Sequence, residues 1–507
     1  MAQTLVFSDA SFSDENADDI FLNVPVRSAG PYRIATEIRN KGLDCFVLNF
    51  IYHFSLEEMK KVCESLINSD TILVGLSTTF WAFPKDPDEH NYRKEILKII
   101  VNTARRYPKI KLILGGTSAR FYSDYINADA CFLGYAEPLL NLFLDSVLDN
   151  KSFDYPPTEV SVKNTPIYKF IEGAVPFDFN NSVINYHPYD FIEKGESLVT
   201  EIARGCVFSC KFCAYPLNGK SKLDYIKHAE VIKNELINNY ETNGTTNYTF
   251  ADDTFNDSTY KIEYLHKIFK ELPFNIKFGT YLRLDLLNAH KEQIPLLKDM
   301  GMISPFFGVE TLSKNAGSKV GKSMDSNKVT DLLFELKDSH WGHRIKVLTG
   351  FITGIPGEDQ TSFELTKAWI NDRKNNLVDR VRPAALGIPN PLTDRSIWKS
   401  DFQLNASKYG FYWPNKSSNW KNLSSWTRSY ESAKTMASEL LHEAVKNNRH
   451  RYGWSMLSFP AWSDNAVNLD QLLEMSREDY TKWFDQNVEK ISVSFIKRYK
   501  DKVMNIL

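Results

Sequence analysis

Twice along this chain, short apolar runs alternate with amphipathic segments of helical period, and that repeated alternation limits the fold more than any other feature. In the first block TLVFSDA (4–10), LDCFVLNF (43–50), TILVGLS (71–77), KLILGG (111–116) and the start of ACFLGYAEPLLNLFLDSVL (130–148) read as strands. AGPYRIATEIRNKG (29–42), SLEEMKKVCESLINS (55–69) and YRKEILKIIVNTARRYP (92–108) read as the helices between them. Gly42 stops the first helix, Pro108 follows the third, and Ser55 with Glu58 three residues on makes a capping box for the second. Apolar strands alternating with helices imply a parallel sheet covered on both faces, wound by right-handed crossovers. Ligands of such sheets lie at the strand C-termini, here the loops 8–18, 51–53, 77–84, 115–119 and 134–137.

Residues 151–194 are punctuated by prolines (YPPTEV, NTPIYK, AVPFDF, YHPYDF) and read as an irregular linker packed on the surface. The second block, 195–393, repeats the alternation about six times over roughly 200 residues, which suits a partial (β/α)6 barrel better than a closed eightfold one. From 394 to 507 the character changes to a mainly helical region containing WPNKSSNWKNLSSW (413–426), expected either to pack on the open side of the barrel or to line a pocket. The expected fold class is therefore α/β: a doubly wound sheet over 1–150, a partial barrel, and a helical tail. A chain of 507 residues exceeds what one core serves, in keeping with several domains.

Composition excludes several classes. No run reaches the roughly 20 apolar residues of a membrane span, and MAQTLVFSDASFSDEN lacks the pattern of a secretory signal. With 61 basic and 63 acidic side chains, a generally basic nucleic-acid-coating protein is not indicated. Six cysteines do not make a disulfide framework, and a reducing cytoplasmic setting is expected. Cys45, Cys63 and Cys131 sit in apolar or helical contexts and read as small buried hydrophobes.

The other three cysteines share RGCVFSCKFCAYP (204–216), as Cys206, Cys210 and Cys213. The C-x3-C-x2-C spacing fits no single face of a helix or strand, so the backbone must wrap around something. Thiolates so crowded repel one another unless a cation lies between them. A strand precedes the loop, which puts it at the strand's C-terminal end, where barrel active sites are built. Zinc would want a fourth ligand, and the nearest histidines are His187 and His228. A four-iron cluster held by three cysteines would leave one iron open. On spacing alone the iron–sulfur, zinc and accidental readings all stand.

The string from Arg204 to Cys213 resembles the signature of the radical S-adenosylmethionine (SAM) superfamily, and the resemblance continues through YTFADDTF (248–255), GTYLRLD (279–285), FFGVET (306–311) and GFITGIPGED (350–359), in the family's order. It implies that Cys206, Cys210 and Cys213 hold three irons of a [4Fe–4S] cluster. SAM would chelate the fourth iron and be cleaved reductively to methionine and a 5′-deoxyadenosyl radical that abstracts hydrogen from substrate. It also implies an electron donor such as flavodoxin or ferredoxin. Phe212 and Tyr215 would pack on the adenine, or else form loop core. Asp252 or Asp253 would meet the SAM ammonium where the family often has Gly-Gly-Glu; the other reading of this acidic pair is a helix N-cap. Arg283 and Glu310, at strand ends, would grip the carboxylate and the ribose or methionine part, or each would be half of a buried ion pair.

A doubly wound domain ahead of such a barrel resembles the cobalamin-binding domain of B12-dependent radical SAM enzymes. The resemblance places Gly115, Gly116 and Thr117 beside the nucleotide tail and the corrinoid between sheet and barrel. The Asp-x-His-x-x-Gly motif is absent; the alternative is a domain that keeps the fold and only shapes the substrate channel. The resulting expectation is a radical SAM enzyme acting on a small-molecule or unknown substrate, as a cobalamin-dependent methyltransferase or a radical rearrangement catalyst. The alternatives are a cobalamin-free modifier of RNA or peptide, or a non-catalytic iron–sulfur or zinc module. Methylthiolation is disfavoured because Cys45, Cys63 and Cys131 lack the spacing for a second cluster.

Overall fold

The computed structural model describes residues 3–10, 24–81, 87–170, 175–214, 225–322, 324–372, 377–394, 399–464 and 467–507. In the front part, β1 (Thr4–Ser8), β2 (Cys45–Leu48), β3 (Leu73–Ser77), β4 (Lys111–Gly115) and β5 (Ala130–Leu133) pair in parallel. The sheet does not stop there. Two further strands, β6 (Glu159–Val160) and β7 (Pro166–Lys169), come from the stretch expected to be an irregular linker, giving the order β2-β1-β3-β4-β5-β7-β6. β7 runs parallel to β5, and its Ile167 and Tyr168 are buried. Pro166 opens this four-residue strand, which is too short to show a period, and its pairing with β5 is what makes it one.

Strand alternation sends the two faces of this sheet into different cores. Val6, Val47 and Ile113 face a core that runs on through Tyr186 and Leu198 into the barrel. Leu5, Phe7 and Phe46 face a second core, which the long C-terminal helix Arg477–Asn505 completes with Phe484, Val488, Phe495 and Tyr499. The tail thus covers the front sheet as well as the barrel. The capping box at Ser55 and Glu58 is present. Cys45, Cys63 and Cys131 are buried, and burial pushes each thiol up to about 12. Among the described residues no helix is long and apolar enough to cross a membrane.

The second sheet has six parallel strands: β8 (Leu198–Thr200), β9 (Asn247–Phe250), β10 (Lys277–Leu282), β11 (Met302–Glu310), β12 (Leu348–Thr353) and β13 (Arg380–Ala385), in spatial order. Helices cover its outer side. The helix Tyr430–Lys446 packs on β12 and β13. The segment around Trp454 closes the end of the barrel opposite the cysteine loop. Its indole lies on β10 at Gly279, where a Cβ would stand 2.3 Å from the ring. The indole N–H donates to the Ser304 carbonyl at 2.9 Å, and Arg380 and Asn247 hold the carbonyls of Tyr452 and Leu457.

Gly301, just before β11, has φ +95°, and a Cβ there would lie 2.0 Å from the Ile276 carbonyl oxygen. Backbone offers no soft way out, so Gly301→Ala is expected to cost about 3 kcal/mol. A urea-unfolding midpoint unchanged from that of the native chain would contradict this.

Candidate functional site

The cysteine loop leaves the C-terminal end of β8 and is held from several sides. Lys211 donates its N–H to the Val320 carbonyl at 3.2 Å and accepts from the Phe402 N–H at 3.0 Å. The Cys213 N–H donates to the Cys210 carbonyl at 3.0 Å, closing a turn. All three cysteines are half-buried at the barrel mouth. Cys206 Sγ lies 3.3 Å from Thr254 Oγ1. Arg283 Nη1 donates to Cys210 Sγ at 3.3 Å, while its Nε and Nη2 clasp Asp285 at 3.0 and 2.6 Å. The guanidinium also lies over the Phe208 ring, 4.1 Å from its centroid.

Burial pushes the Cys206 thiol up, so its thiolate form needs a positive partner, as iron provides. Among the described residues no three such side chains converge on a single metal ion. Ligands of one cluster sit on separate irons and need not converge. The donor set fits: three thiols on one loop, one with a guanidinium already at its sulfur.

The other expected site residues divide. Phe212 packs among Phe402, Trp420 and their neighbours with the Lys322 ammonium 5.9 Å from its ring centroid. Tyr215 lies outside the described residues. Asp252 is buried and bound inward: Oδ1 accepts from the Thr254 N–H at 3.1 Å, and Oδ2 pairs with Lys261 at 2.8 Å. The N-cap of the next helix is Ser258, not either aspartate. Asp253 points to the open mouth, where it is reached by solvent. Its carboxyl is pushed up to about 6 by the protein packed around it and by Asp252, against a hydrogen bond from the Gly205 N–H.

Glu310 follows a bulge after Gly308 and has φ +67°. It pairs with Lys322 at 2.7 Å. Both charged candidates, Arg283 and Glu310, are thus halves of ion pairs. Gly354, in the turn after β12, is pressed against Ala433 and Trp420. Glu358 lies in the same turn, and no local pattern in the sequence marks it. Burial pushes its carboxyl up to about 7 even though it accepts from the Gly354 N–H and the Thr311 hydroxyl.

A cavity of about 200 Å³ opens at the strand C-termini of the front sheet and is lined in part by Gly30, Gly75, Gly115, Gly116 and Gly134. At Gly115 a Cβ would find nothing nearer than 4.0 Å, and at Gly30 nothing nearer than 3.9 Å, so these positions open space that side chains would fill. Thr117 stands beside it, donating to the Thr79 carbonyl at 3.0 Å. This glycine cradle fits the slender tail of a corrinoid. One wall is ionic. Arg33 meets Glu201 at 2.6 Å, and Arg204 meets Glu201 at 2.8 Å and Glu137 at 2.5 Å. The Arg204 guanidinium also lies over the rings of Tyr135 and Phe179. Two arginines and two glutamates therefore join the front sheet to the residues that lead into Cys206. Arg204 stood inside the quoted cysteine string, but nothing local revealed its partners.

Comparison with known proteins agrees with this geometry. The model of the Radical SAM superfamily matches residues 200–370. The fold resembles that of the radical SAM methyltransferase TsrM from Kitasatospora setae, solved with tryptophan substrate and a SAM analogue (TM-score 0.65, 12% identity, 96% of this chain and 99% of that one). It also resembles the cobalamin-dependent radical SAM enzyme OxsB solved with aqua-cobalamin (TM-score 0.57, 13% identity, 99% of this chain and 80% of that one). The ribosomal protein uS12 methylthiotransferase RimO of Treponema denticola is 22% identical over 348 residues, 60% of this chain and 70% of its own. The cysteine trio at the strand end and most of the six-stranded sheet behind it lie in the segment, residues 200–370, that matches the Radical SAM superfamily, and this match implies a [4Fe–4S] cluster and SAM as cofactors.

Proposed function

We propose that this protein is a cobalamin-dependent radical SAM methyltransferase acting on a small molecule in the cytoplasm, with a flavodoxin or ferredoxin as electron donor. The observation that carries it is the facing of two sites across one ionic wall: the cysteine loop at the barrel mouth and the glycine cradle of the front sheet, joined by Arg33, Glu137, Glu201 and Arg204. TsrM and OxsB, whose folds this chain resembles, were solved with a SAM analogue and with aqua-cobalamin bound, respectively.

When bound, the cluster supplies an electron for reductive cleavage of SAM, and the corrinoid supplies a carrier for a methyl group. Cys206, Cys210 and Cys213 anchor the cluster. Arg283 orients Cys210 and places positive charge at its sulfur. Asp253, at the mouth, offers a carboxylate above about pH 6 for the SAM ammonium. The helices and the Trp454 plug keep bulk water from the interior.

Anaerobic reconstitution with iron, sulfide and cobalamin tests the reading. About four irons per chain, a retained corrinoid band and SAM consumption support it; one zinc and no iron would end it. Gly115→Leu is expected to keep the unfolding midpoint, since the cavity has room, while lowering corrinoid retention about tenfold or more through lost contact and obstruction. Equal retention by the variant would remove the cradle from the proposal.

A further inference from the structure

We infer that a hairpin module of the C-terminal region, packed beside the cysteine loop, is the docking face for an acidic electron-carrier protein, with Lys408, Lys416 and Lys421 set around the exposed side chains of Tyr412 and Leu423. This rests on the proposed function, in which a carrier protein delivers an electron to the cluster.

The module meets the cysteine loop through backbone and through core. The Phe402 N–H donates to the Lys211 carbonyl at 3.0 Å, and Lys211 Nζ stands 3.8 Å from Asp401 Oδ2. Phe212, between Cys210 and Cys213, packs against the small core of Phe402, Phe411 and Trp420. A two-stranded hairpin, Phe411–Tyr412 and Lys421–Asn422, pairs Phe411 with Asn422 and Tyr412 with Lys421. Side chains directly opposite share a face of such a ribbon, and successive ones alternate. Phe411 and Asn422 are accordingly buried, each 3% exposed. Tyr412 and Lys421 face the other way and are exposed, and Leu423, just beyond the strand, is 70% exposed. One face of the hairpin is thus anchored on the core that also seats Phe212, and the other is turned to solvent.

That outward side is basic. Residues 399–434 hold six basic and two acidic side chains, in a chain that is slightly acidic as a whole. Lys408, Lys416 and Lys421 are exposed, and none of the three forms an ion pair among the described residues. Arg428, by contrast, is turned back onto the Leu423 carbonyl. Uncompensated lysines around a small apolar patch combine attraction for an acidic surface with limited contact area, the make-up of a short-lived redox encounter. The position suits the task, because electron tunnelling weakens steeply with distance and this module flanks the loop that carries Cys206, Cys210 and Cys213. In the encounter the carrier is oxidised by one electron and the cluster is reduced by one; no bond is made or broken and no proton moves.

The test uses the full chain reconstituted anaerobically with iron, sulfide and SAM. The probe is an acidic bacterial flavodoxin, as its hydroquinone for stopped-flow reduction of the cluster and in its oxidised form for equilibrium binding. The second-order rate constant is expected to fall at least about tenfold from low to high salt. At low salt it should also fall about tenfold in the triple variant Lys408→Glu, Lys416→Glu, Lys421→Glu. The matching triple arginine variant keeps the charges and should stay within about twofold of the native chain. Leu423→Ser should weaken flavodoxin binding about threefold or more at either salt. Reduction by the methyl viologen radical, a small cation that needs no docking face, should be slowed in none of the variants, which also shows that each holds its cluster. A flavodoxin rate indifferent to salt and to the three lysines overturns the inference. So does single-stranded RNA bound by the native chain and lost by the triple glutamate variant while flavodoxin reduction stays native, since the face is then a nucleic-acid surface. Viologen-driven SAM cleavage with flavodoxin indifferent to the lysines sinks the docking face alone. Lysine-dependent flavodoxin binding by a chain that holds no iron sinks the proposed function alone.

Discussion

Cys210→Ser is expected to leave the protein folded but without a stable four-iron cluster, and to lower 5′-deoxyadenosine formation from SAM by roughly 10³-fold, about 4 kcal/mol of barrier. The sulfur lost is the one that Arg283 Nη1 contacts at 3.3 Å. A serine hydroxyl is a harder and far less acidic ligand than a thiol and does not replace it on iron. Arg283→Gln gives the graded companion. It keeps all three thiols but removes the charge at Cys210, so cluster retention should fall by about ten- to a hundredfold, as outer partners of metal ligands usually require. Cys63→Ala is the control. It removes a buried thiol with no role in the site, so iron content should match that of the native chain. Iron counting and quantification of 5′-deoxyadenosine under anaerobic conditions read all three. Native radical formation by Cys210→Ser would end the proposed function.

Arg204→Met should destabilise the folded chain by about 3–5 kcal/mol at neutral pH, because it strands Glu137 and Glu201 without one of their cations. Burial alone would raise the Glu201 carboxyl, but Arg204 and Arg33 overcome it and hold that carboxyl well below the usual carboxylate range. A carboxyl depressed on folding contributes stability that is present above its unfolded value, about 4.3, and is lost as pH falls below it. In the native chain that loss lies on the acid side of pH 4.3. In Arg204→Met, burial regains the upper hand at Glu201 and the carboxylate is the burdened form. Acidification then relieves the variant while it weakens the native protein, so the gap between their urea midpoints should narrow from pH 7 to pH 4. A gap constant with pH would show that Arg204 acts by packing over Tyr135 and Phe179 alone. Cys206 lies two residues beyond Arg204, so slower cluster assembly in the variant is a further expected readout.

Much of the fold could be read locally. Strand–helix alternation laid out both parallel sheets, and the Ser55–Glu58 spacing marked a helix start that the structure contains. Cys45, Cys63 and Cys131, read as buried hydrophobes from their neighbours, are buried with thiols pushed up to about 12. β7 is not legible locally because PIYK is too short to show a period and the proline that opens it suggests a loop. The aspartate pair marks the limit most clearly. Asp252 and Asp253 are chemically the same and adjacent, yet one is locked onto Lys261 inside and the other faces the mouth.

By itself the sequence determined what is short-range: the periods that make strands and helices, the spacing that gathers three thiols on one loop, and the residue types able to ligate iron. Which of two neighbouring side chains turns inward, which arginine meets which glutamate 168 residues away (Arg33 and Glu201), and which tryptophan seals the barrel against Gly279 were decided only in the tertiary structure. The physical reason is that these choices depend on close packing and desolvation among elements far apart in the chain. Such terms exist only once the sheets, the helices and the C-terminal segment have come together.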